Sequence, residues 1–376
     1  MILPGGTLGL LGGGQLGRMF TQKARAMGFE VIVLEPDRLS PAGGVATRHL
    51  ASAYDDLPAL EELARSVAAV TTEFENVPSA TLDWLASHVL CRPAAASVAV
   101  AQDRIAEKTF LQSHDLATAE FEAVRTRDDL DHAWERIGAP ALLKTSRMGY
   151  DGKGQELVDR IEDARLAFER FGAVPCVLER RLRLEAEVSV VLARAADGTL
   201  APFPVGENVH RKGILHTTVV PARVDAATAA TALETASRVA RDLSYVGVLG
   251  VEMFVANGGR IYVNELAPRP HNSGHYTMDA CATCQFEQQV RVLAGLPLGD
   301  PRLLTPVCMI NLLGDLWKDG TPRWDRALAL PGVKLHLYGK KAVRPGRKMG
   351  HLNCLADSPE AALALAERAF AALAPS

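Results

Sequence analysis

Two apolar, β-branched stretches joined by a short glycine turn place a pair of acidic residues in an otherwise hydrophobic hairpin. The stretches cover residues 248–255 and 261–266, and Ala-Asn-Gly-Gly lies between them. Asn and Gly tolerate the positive φ that a tight turn needs, so the pattern predicts a β-hairpin. A turn centred between the two glycines would place Glu252 directly opposite Glu265.

Two opposed carboxylates constrain the chemistry of this hairpin. Directly opposed side chains have Cβ atoms about 5 Å apart, and like charges at that distance destabilise the ladder. The pair therefore needs a proton, a basic neighbour or a cation, and Mg²⁺ held by carboxylates and substrate phosphates meets that need. The alternative is an edge hairpin whose glutamates point into water. Residues 267–275 favour a phosphate site, because they are polar, turn-rich and dense in anion-binding groups.

Composition and charge limit the classes of partner. The 376 residues are 48% hydrophobic and 23% charged, which is typical of a soluble globular protein with two or three cores. A net charge of −3 gives no reason to expect a nucleic-acid or membrane-surface partner. The apolar N-terminus is broken by glycines and lacks a basic segment, so no signal peptide or membrane span is expected. Scattered cysteines, with only Cys281 and Cys284 at ligand spacing, favour reduced thiols and a cytoplasmic protein.

A glycine-rich loop follows the first predicted strand. Gly12, Gly14 and Gly17 match the pattern G-x-G-x-x-G, and Glu35 ends the next strand. This is the dinucleotide-binding fingerprint, so an NAD(P)-dependent oxidoreductase is one candidate function. The physical requirement is broader, because any phosphate can approach the N–H groups of such a helix N-terminus. Gln15 adds a side-chain amide that can reach a ligand.

Charged residues of the first third of the chain occupy positions where parallel sheets bind ligands. Strands and helices alternate there, which predicts a parallel sheet with ligands at the carboxyl ends of its strands. Glu73 and Glu75 follow one such strand, either as helix caps or as acceptors for a ligand. Residues 97–114 are predicted to form one helix with Arg104 and Lys108 on one face. That pair either faces solvent or points at a nucleotide phosphate.

Three later segments carry basic residues in a pattern that suits phosphates. Lys144 closes an apolar strand, where a charge is costly unless an anion receives it. Residues 146–154 follow with glycines and two basic ends, which predicts either a lid over phosphates or a plain turn; the Walker pattern is absent. His210 lies within a predicted polar loop, 206–213. Residues 340–348 hold five cations, as a solvated turn or as a phosphate site.

Together these segments resemble the ATP-grasp family of carboxylate–amine ligases, in particular the branch that acts in purine biosynthesis. The resemblance covers nearly the whole chain and rests on five motifs in order: GGGQLGRM at 12–19, EFENVP at 73–78, GYDGKG at 149–154, NE at 264–265 with PRPHNSGH at 268–275, and RPGRKMGH at 344–351. It implies an α/β ATP-grasp fold with three parts. These are an N-terminal Rossmann-like parallel-sheet domain (1–100), an ATP-grasp domain (101–305) with a small α+β lid subdomain (about 119–182), and a small β-rich C-terminal domain (306–376).

The resemblance also implies ATP and Mg²⁺ as cofactors, with Mn²⁺ as a substitute metal. The residues implied to bind ATP are Arg104, Lys144, Met148, Gly149, Tyr150, Asp151, Gly152, Lys153, Gly154, Glu179, Arg180, Arg181, Leu182, Glu187, His210, Asn264 and Glu265. Glu252 and Glu265 are implied to hold the metal. The chain departs from the family pattern at Met148, where the lid usually has glycine, and at Arg180-Arg181, where Lys and an apolar residue are usual.

The activity that the resemblance implies is carboxylation of the amine of aminoimidazole ribonucleotide with bicarbonate and ATP. The residues implied to contact the ribonucleotide are Gly14, Gln15, Leu16, Glu73, Lys340 and Arg347. Those implied to be catalytic are Glu73, Tyr150, Asp151, Arg269, His271 and Asn272, with Glu73 or His271 as the acceptor of the amine proton. Other ATP-grasp ligases, such as a formate-using transformylase or a biotin-carboxylase relative, and a non-enzymatic scaffold remain alternatives. Apolar hairpins, in a family that is often dimeric, favour a homodimer.

Overall fold

The computed structural model describes residues 1–149 and 152–374. In these residues the chain forms three β-sheets with flanking helices. The strands are β1 (Thr7–Leu11), β2 (Glu30–Leu34), β3 (Arg48–Leu50), β4 (Ala69–Thr72), β5 (Leu90–Cys91), β6 (Phe121–Val124), β7 (Ala141–Thr145), β8 (Gln155–Val158), β9 (Cys176–Arg180), β10 (Leu184–Arg194), β11 (Leu200–Pro202), β12 (Gly206–Arg211), β13 (Ile214–Val220), β14 (Gly247–Ala256), β15 (Arg260–Ala267), β16 (Val307–Leu313), β17 (Val333–Leu337) and β18 (Lys348–Leu355). The helices are α1 (Gln15–Ala26), α2 (Leu57–Ser66), α3 (Ser79–Ala86), α4 (Ala95–Ala101), α5 (Arg104–Ser113), α6 (Arg127–Ile137), α7 (Ile161–Arg170), α8 (Ala226–Asp242), α9 (Thr277–Ala280), α10 (Gln285–Ala294), α11 (Trp324–Leu328) and α12 (Pro359–Ala372). In the described part of the chain, no helix has the length and apolar character to span a bilayer.

The first sheet confirms the predicted parallel α/β arrangement. Its five strands are ordered β3-β2-β1-β4-β5, and every pair is parallel. The central strands are buried, as the apolar run of β1 requires of a sheet covered on both faces. Helix α1 packs against α10 through a shared core that includes Phe20 and Phe286. The carboxyl end of β4 therefore delivers Glu73 to the N-terminus of α1, where Gly14 and Gly17 lie.

The prediction of one helix over residues 97–114 is wrong, because the chain breaks between α4 and α5. Asp103 is the N-cap of α5, and its Oδ1 accepts hydrogen bonds from the N–H groups of Ile105 and Ala106 at 3.0 and 3.4 Å. An N-cap aspartate satisfies donors that a helix start leaves free, so it favours a new helix over continuation. The same carboxylate accepts from the hydroxyl of Ser146, which anchors the start of the glycine-rich loop to α5.

A four-stranded antiparallel sheet forms the predicted lid region. Its order is β6-β9-β7-β8, and α6 and α7 cover one face with an apolar core. Within the sheet β7 pairs with β9, which places Leu142 opposite Glu179. The pairing brings Lys144 at the end of β7 next to the same glutamate.

The third sheet runs through the rest of the chain and ends in its C-terminal strands. The order is β15-β14-β10-β12-β13-β16-β18-β17, with β11 paired to β10. Residues 206–213 are not the predicted polar loop, because 206–211 form β12 between β10 and β13. Its polar side chains find partners, since Asn208 accepts a hydrogen bond from Thr218 at 2.9 Å. The β13–β16 pairing joins the C-terminal strands to this sheet.

The hairpin β14–β15 confirms that Glu252 lies opposite Glu265, but by a route that the turn prediction missed. From Met253↔Val263 to Ala256↔Arg260 the register is centred on Gly258, not between the two glycines. Continued without interruption, that register would set Glu252 opposite Asn264. A β-bulge at Asn264 adds one residue to β15 and shifts the register, which restores the pairing of the two glutamates.

Candidate active site

A cavity of about 940 Å³ is lined by residues from the second and third sheets, from the segments that follow β1 and β4 of the first sheet, and from the segment between β17 and β18. The predicted site residues that line it are Gln15, Leu16, Glu73, Arg104, Lys144, Gly152, Lys153, Glu187, His210, Glu252, Asn264, Glu265, Arg269, His271, Asn272, Lys340 and Arg347. A second cavity of about 510 Å³ is lined by Glu179, Arg180, Arg181 and Leu182. The two cavities share Leu142, Leu184 and Phe254, so they form one cleft with a charged part and a more apolar part.

Four described residues from the predicted set line neither cavity, and two more lie outside the described residues. The four are Gly14, Met148, Gly149 and Gly154, and the two are Tyr150 and Asp151. Met148 has a φ of +61° and is 69% exposed. Positive φ favours glycine, which gives a physical reason for the family's preference for glycine there. Gly154 serves the loop through its carbonyl, which accepts from the N–H of Thr145 at 2.7 Å.

Lys144 forms an ion pair with a buried carboxylate that it shares with Lys108. Its Nζ lies 2.8 Å from Oε2 of Glu179, and Oε1 of the same residue lies 3.3 Å from Nζ of Lys108. Burial alone would raise the pKa of Glu179, but Lys108 and Lys144 lower it to about 2. Lys108 is fully buried, so the solvated-face alternative for the Arg104–Lys108 pair is wrong. Arg104 lines the cavity, and its Nη2 lies 3.1 Å from Oε2 of Glu265.

The opposed glutamates form a site of oxygen donors that suits a hard cation. Burial and the charge of Glu265 raise the pKa of Glu252 to about 7, so a cation bound between the two carboxylates would favour the charged form of Glu252. Oδ1 of Asn264, at the bulge, is buried without a hydrogen-bond partner among the described residues. Two carboxylates and an amide oxygen are ligands that Mg²⁺ and Mn²⁺ accept. No group of three or more His, Cys, Asp or Glu in the described ranges could hold a metal, so phosphate or water oxygens would complete the shell.

The glycine loop differs from the expected phosphate cradle, because protein carboxylates occupy its N–H groups. Gly14 and Gly17 donate to the two oxygens of Glu73, the second at 2.8 Å. Gly13 donates to Oε2 of Glu35 at 2.8 Å. A Cβ on Gly14 would lie 2.5 Å from Oε1 of Glu73, so this approach requires glycine. Glu35, the residue that would bind the ribose of a dinucleotide, also accepts from the hydroxyl of Tyr54.

A second ion pair holds Arg269 at the cavity wall. Its guanidinium donates to Glu75, for which the sequence predicts either a helix cap or an acceptor for a ligand. Burial opposes the charge of Glu75, yet Arg269 lowers its pKa to about 2. The sequence signal that could have paired them is the match of an acid after β4 with a cation after β15, two strand ends that face one cleft.

His271 and Asn272 are fixed by hydrogen bonds on both sides of their polar groups. Nδ1 of His271 accepts from the N–H of Ser273 at 3.3 Å and lies 2.8 Å from its Oγ. Nε2 lies 3.2 Å from Oε1 of Glu252. Burial, followed by Arg269, lowers the pKa of His271 to about 3, so the ring is neutral and carries its proton on Nε2. Asn272 exchanges two amide hydrogen bonds with Asn311 at 2.8 and 3.1 Å.

The basic segment between β17 and β18 faces the cavity with four of its five cations, Lys340, Arg344, Arg347 and Lys348. The first and last are joined, because Nζ of Lys340 donates to the carbonyl of Lys348 at 2.8 Å. Arg347 donates to the carbonyl of Ala342 at 2.6 Å. These bonds fold the segment into a compact cationic wall. Arg344 and Lys348 were not in the predicted site, although the density of cations at 340–348 already marked the segment.

Strand β12 explains the placement of His210. Its Nδ1 lies 2.7 Å from Oε2 of Glu187 on the neighbouring strand β10. Burial disfavours the imidazolium, but the nearby carboxylates of Glu187 and Glu252 raise the pKa of His210. A predicted loop could not have given this pair, because only strand pairing fixes the two side chains side by side.

Protein-family models match most of the chain. The ribonucleotide synthetase preATP-grasp domain matches residues 6–102, the ATP-grasp domain matches residues 109–286, and the phosphoribosylaminoimidazole carboxylase C-terminal domain matches residues 307–365. These spans cover every strand of the three sheets and all the residues that line the two cavities except Arg104.

Curated relatives and solved structures agree with these matches. The chain is 44% identical over 351 residues to N5-carboxyaminoimidazole ribonucleotide synthase of Brucella melitensis, covering 93% of this chain and 96% of that protein. It is 41% identical over 352 residues to the Bacillus subtilis synthase, covering 94% and 92%. A solved ADP complex of an N5-carboxyaminoimidazole ribonucleotide synthetase is similar, with a TM-score of 0.93, 42% identity and coverage of 98% and 97%. The Aspergillus clavatus synthase, described in complex with ADP and 5-aminoimidazole ribonucleotide, gives a TM-score of 0.90 at 30% identity, with 98% of each chain covered.

Proposed function

The chain belongs to the family of N5-carboxyaminoimidazole ribonucleotide synthases within the ATP-grasp fold, and from this membership we propose its reaction. The enzyme carboxylates the exocyclic amine of 5-aminoimidazole ribonucleotide with bicarbonate and ATP, giving ADP and phosphate, in purine biosynthesis. The observation that carries the proposal is the opposition of Glu252 and Glu265 in a cleft that also holds Arg104, Lys144 and the cationic wall. That arrangement suits a metal-bound triphosphate at one end and a phosphorylated substrate at the other.

ATP occupies the continuous cleft with its base in the smaller cavity. Leu142, Leu184 and Phe254 supply apolar surface for a planar base. Arg104 and Lys144 contact the phosphates of ATP, and Glu187 and His210 contact the nucleotide at its ribose. The lid residues Met148 to Gly154, with Tyr150 and Asp151 among them, close over the phosphates. Arg180 and Arg181 leave the adenine contacts to backbone groups of the segment 179–182, because the Arg180 guanidinium already pairs with Glu120 at 2.7 Å.

The cation site fits the donor set of the hairpin. Glu252 and Glu265 would hold Mg²⁺, or Mn²⁺ in its place, with Asn264 beside them. Bound there, the ion would supply positive charge that offsets the negative charge developing on the phosphates during transfer. Cationic side chains of the protein would also offset this charge, since Arg104 contacts Glu265 and Lys144 lines the same cavity.

Bicarbonate reacts first, by in-line attack of an oxygen on the γ-phosphate to give carboxyphosphate and ADP. The protein contributes position and charge rather than a nucleophile. Arg269, His271 and Asn272 border the bicarbonate, and Arg269 is the cation that binds it. Carboxyphosphate is unstable in water, so the lid must close before it forms.

The amine then attacks the carboxyl carbon of carboxyphosphate, the bond from that carbon to the phosphate oxygen breaks, inorganic phosphate leaves, and the amine proton goes to a nearby base. Glu73 is the better acceptor, because burial raises the pKa of its carboxyl and a higher pKa makes a stronger general base. His271 is poorly suited, because burial and Arg269 lower its pKa to about 3 and so make it a weaker base. Lys340 and Arg347 bind the ribonucleotide phosphate, while Gly14, Gln15 and Leu16 border the amine side. The N–H of Gly14 acts through Glu73 rather than on the phosphate.

The direct test is ADP formation by the purified protein with aminoimidazole ribonucleotide, with and without bicarbonate. We expect ADP release that requires both. ADP release with formate in place of bicarbonate would favour a transformylase. Quenching of the protein's fluorescence by NADH, without any reaction of ATP, would favour an oxidoreductase.

Two further properties belong to the proposal. We expect a homodimer, as the family resemblance implies, and a cytoplasmic location, as the reduced cysteines suit; all six are free thiols. Light scattering after size-exclusion chromatography measures the first, and cell fractionation measures the second. The division into domains at residues 1–100, 101–305 and 306–376 is likewise a proposal, and limited proteolysis at these boundaries tests it.

A further inference from the structure

The buried side-chain amide of Gln285 forms hydrogen bonds with the segment 271–275, which carries His271 and Asn272. Gln285 opens helix α10 and is fully buried. Its Oε1 accepts from the N–H of His271 at 2.8 Å, and its Nε2 donates to the carbonyl of the same residue at 2.9 Å. Nε2 also donates to Nδ1 of His275 at 3.0 Å. The amide therefore holds both ends of a five-residue segment.

The contact is tight and its base is rigid. A Cβ on Gly274 would lie 2.7 Å from Oε1 of Gln285, so the segment passes directly over the amide at a glycine. The N–H of Gln285 itself donates to Oγ1 of Thr277 at 3.1 Å. Helix α10 packs in the core of α1 through Phe286 and Val290. Movement of the segment relative to this helix would require three hydrogen bonds to break.

The same helix also reaches the other side of the reacting site. Gln289 lies four residues after Gln285, on the same face of α10, and its Nε2 donates to Oγ1 of Thr71 at 3.2 Å. Thr71 lies on β4, two residues before Glu73. Helix α10 thus binds the segment of His271 and the strand that delivers Glu73.

We propose that Gln285 is a positioning residue that sets the distance between the bicarbonate side and the amine side of the active site. The inference rests on the proposed function, which assigns His271 and Asn272 to bicarbonate and Glu73 to the amine. Gln285 touches no substrate; it acts through the backbone of His271. Because reacting groups must be placed within fractions of an ångström, loss of this clamp affects turnover more than nucleotide binding.

The chain offers a matched control on the same helix. Gln288 is also fully buried, and its amide forms the same two-bond clamp on the backbone of Gly299, at 2.7 and 2.9 Å. Gly299 lines neither described cavity. Gln285→Met and Gln288→Met therefore remove equal numbers of backbone hydrogen bonds from one helix, and only the first removes them from the active site.

Steady-state kinetics of ribonucleotide-dependent ADP formation tests the proposal. Gln285→Met should lower kcat about 10- to 100-fold and leave KM for ATP within about twofold, whereas Gln288→Met should keep both near wild type. Both variants should lose thermal stability, and Gln285→Met should lose more because its amide also bonds to His275. Equal kcat in the two variants, or a rise in KM for ATP that matches the loss of kcat, would overturn the proposal.

Two additions keep the test decisive. If Gln285→Met does not fold, Gln285→Glu keeps the shape and the acceptor for His271 while it removes the donor; its kcat should fall in the same direction, and wild-type kcat would refute the clamp. Histidine ring ¹⁵N spectra read the geometry without activity. The His271 and His275 signals should shift in the Gln285 variants and stay unchanged in Gln288→Met. If the wild type forms no ADP in a ribonucleotide-dependent reaction, the proposed function is wrong. The spectra would still test whether Gln285 positions the segment 271–275.

Discussion

The charge conflict between Glu252 and Glu265 should make the metal-free protein less stable as the pH rises. Burial, and then the charge of Glu265, raises the pKa of Glu252 from its ordinary value of 4.5 to about 7. Between these values the unfolded chain has lost the proton that the folded chain keeps. The unfolded state then binds fewer protons, so the free energy of unfolding falls as the pH rises through this window.

The size of the effect follows from the shift. A difference of two to three pKa units corresponds to about 3–4 kcal/mol, at about 1.4 kcal/mol for each unit. The Glu252 side chain is 19% exposed, so solvent screening makes this an upper bound. Glu107 contributes in the same direction, because burial and Glu265 raise its pKa to about 8, and a variant is needed to separate the two.

Glu252→Gln removes the titrating group and keeps the shape of the side chain. We expect the wild type to lose about 2–3 kcal/mol more than this variant between about pH 5 and about pH 8, measured by urea unfolding in the presence of a chelator. Excess Mg²⁺ should restore the wild type at the higher pH and leave the variant unchanged, because ligand binding to the folded state stabilises it. Equal pH dependence in the two proteins, or no response to Mg²⁺, would refute the reasoning.

Three further substitutions test the remaining parts of the site. Glu265→Gln should lower turnover about 100- to 1,000-fold without unfolding the protein, and near-normal ADP release would defeat the metal assignment. Arg347→Ala should raise KM for the ribonucleotide about tenfold or more while KM for ATP stays within about twofold; equal effects would mean that the cationic wall binds something else. Gly14→Ala places a Cβ 2.5 Å from Oε1 of Glu73, so kcat should fall about tenfold with unchanged ADP affinity by calorimetry. Unchanged kcat would show that Glu73 does not depend on the glycine loop.

Local patterns predicted the elements that depend on neighbouring residues in the chain. The alternation of strands and helices gave the parallel N-terminal sheet, and the glycine turn gave the pairing of Glu252 with Glu265. The bulge at Asn264 was not visible, because one extra residue in a strand leaves the apolar pattern nearly unchanged. The predicted turn centre lies half a residue beyond the observed centre at Gly258. The bulge adds one residue to β15, and this cancels the error at the level of the two glutamates.

The other differences between the predicted and the observed structure arise from contacts between residues that are distant in the sequence. A polar stretch such as residues 206–211 becomes a strand only because β10 and β13 supply hydrogen bonds on both sides. Glu73 occupies the glycine loop because the sheet order brings β4 beside β1. The break before α5 was readable in principle, since Asp103 is an N-cap type residue within an otherwise helical pattern.

The central claim is that the cleft joins bicarbonate to an imidazole amine at the cost of one ATP. The most direct measurement is ¹³C NMR of the protein with ¹³C-bicarbonate, ATP, Mg²⁺ and aminoimidazole ribonucleotide, with ADP counted in the same sample. We predict a new carbamate carbon attached to the exocyclic nitrogen, formed in equal amount to ADP at early times. ADP formation without that carbon signal, or a labelled carbon without ADP, would contradict the account.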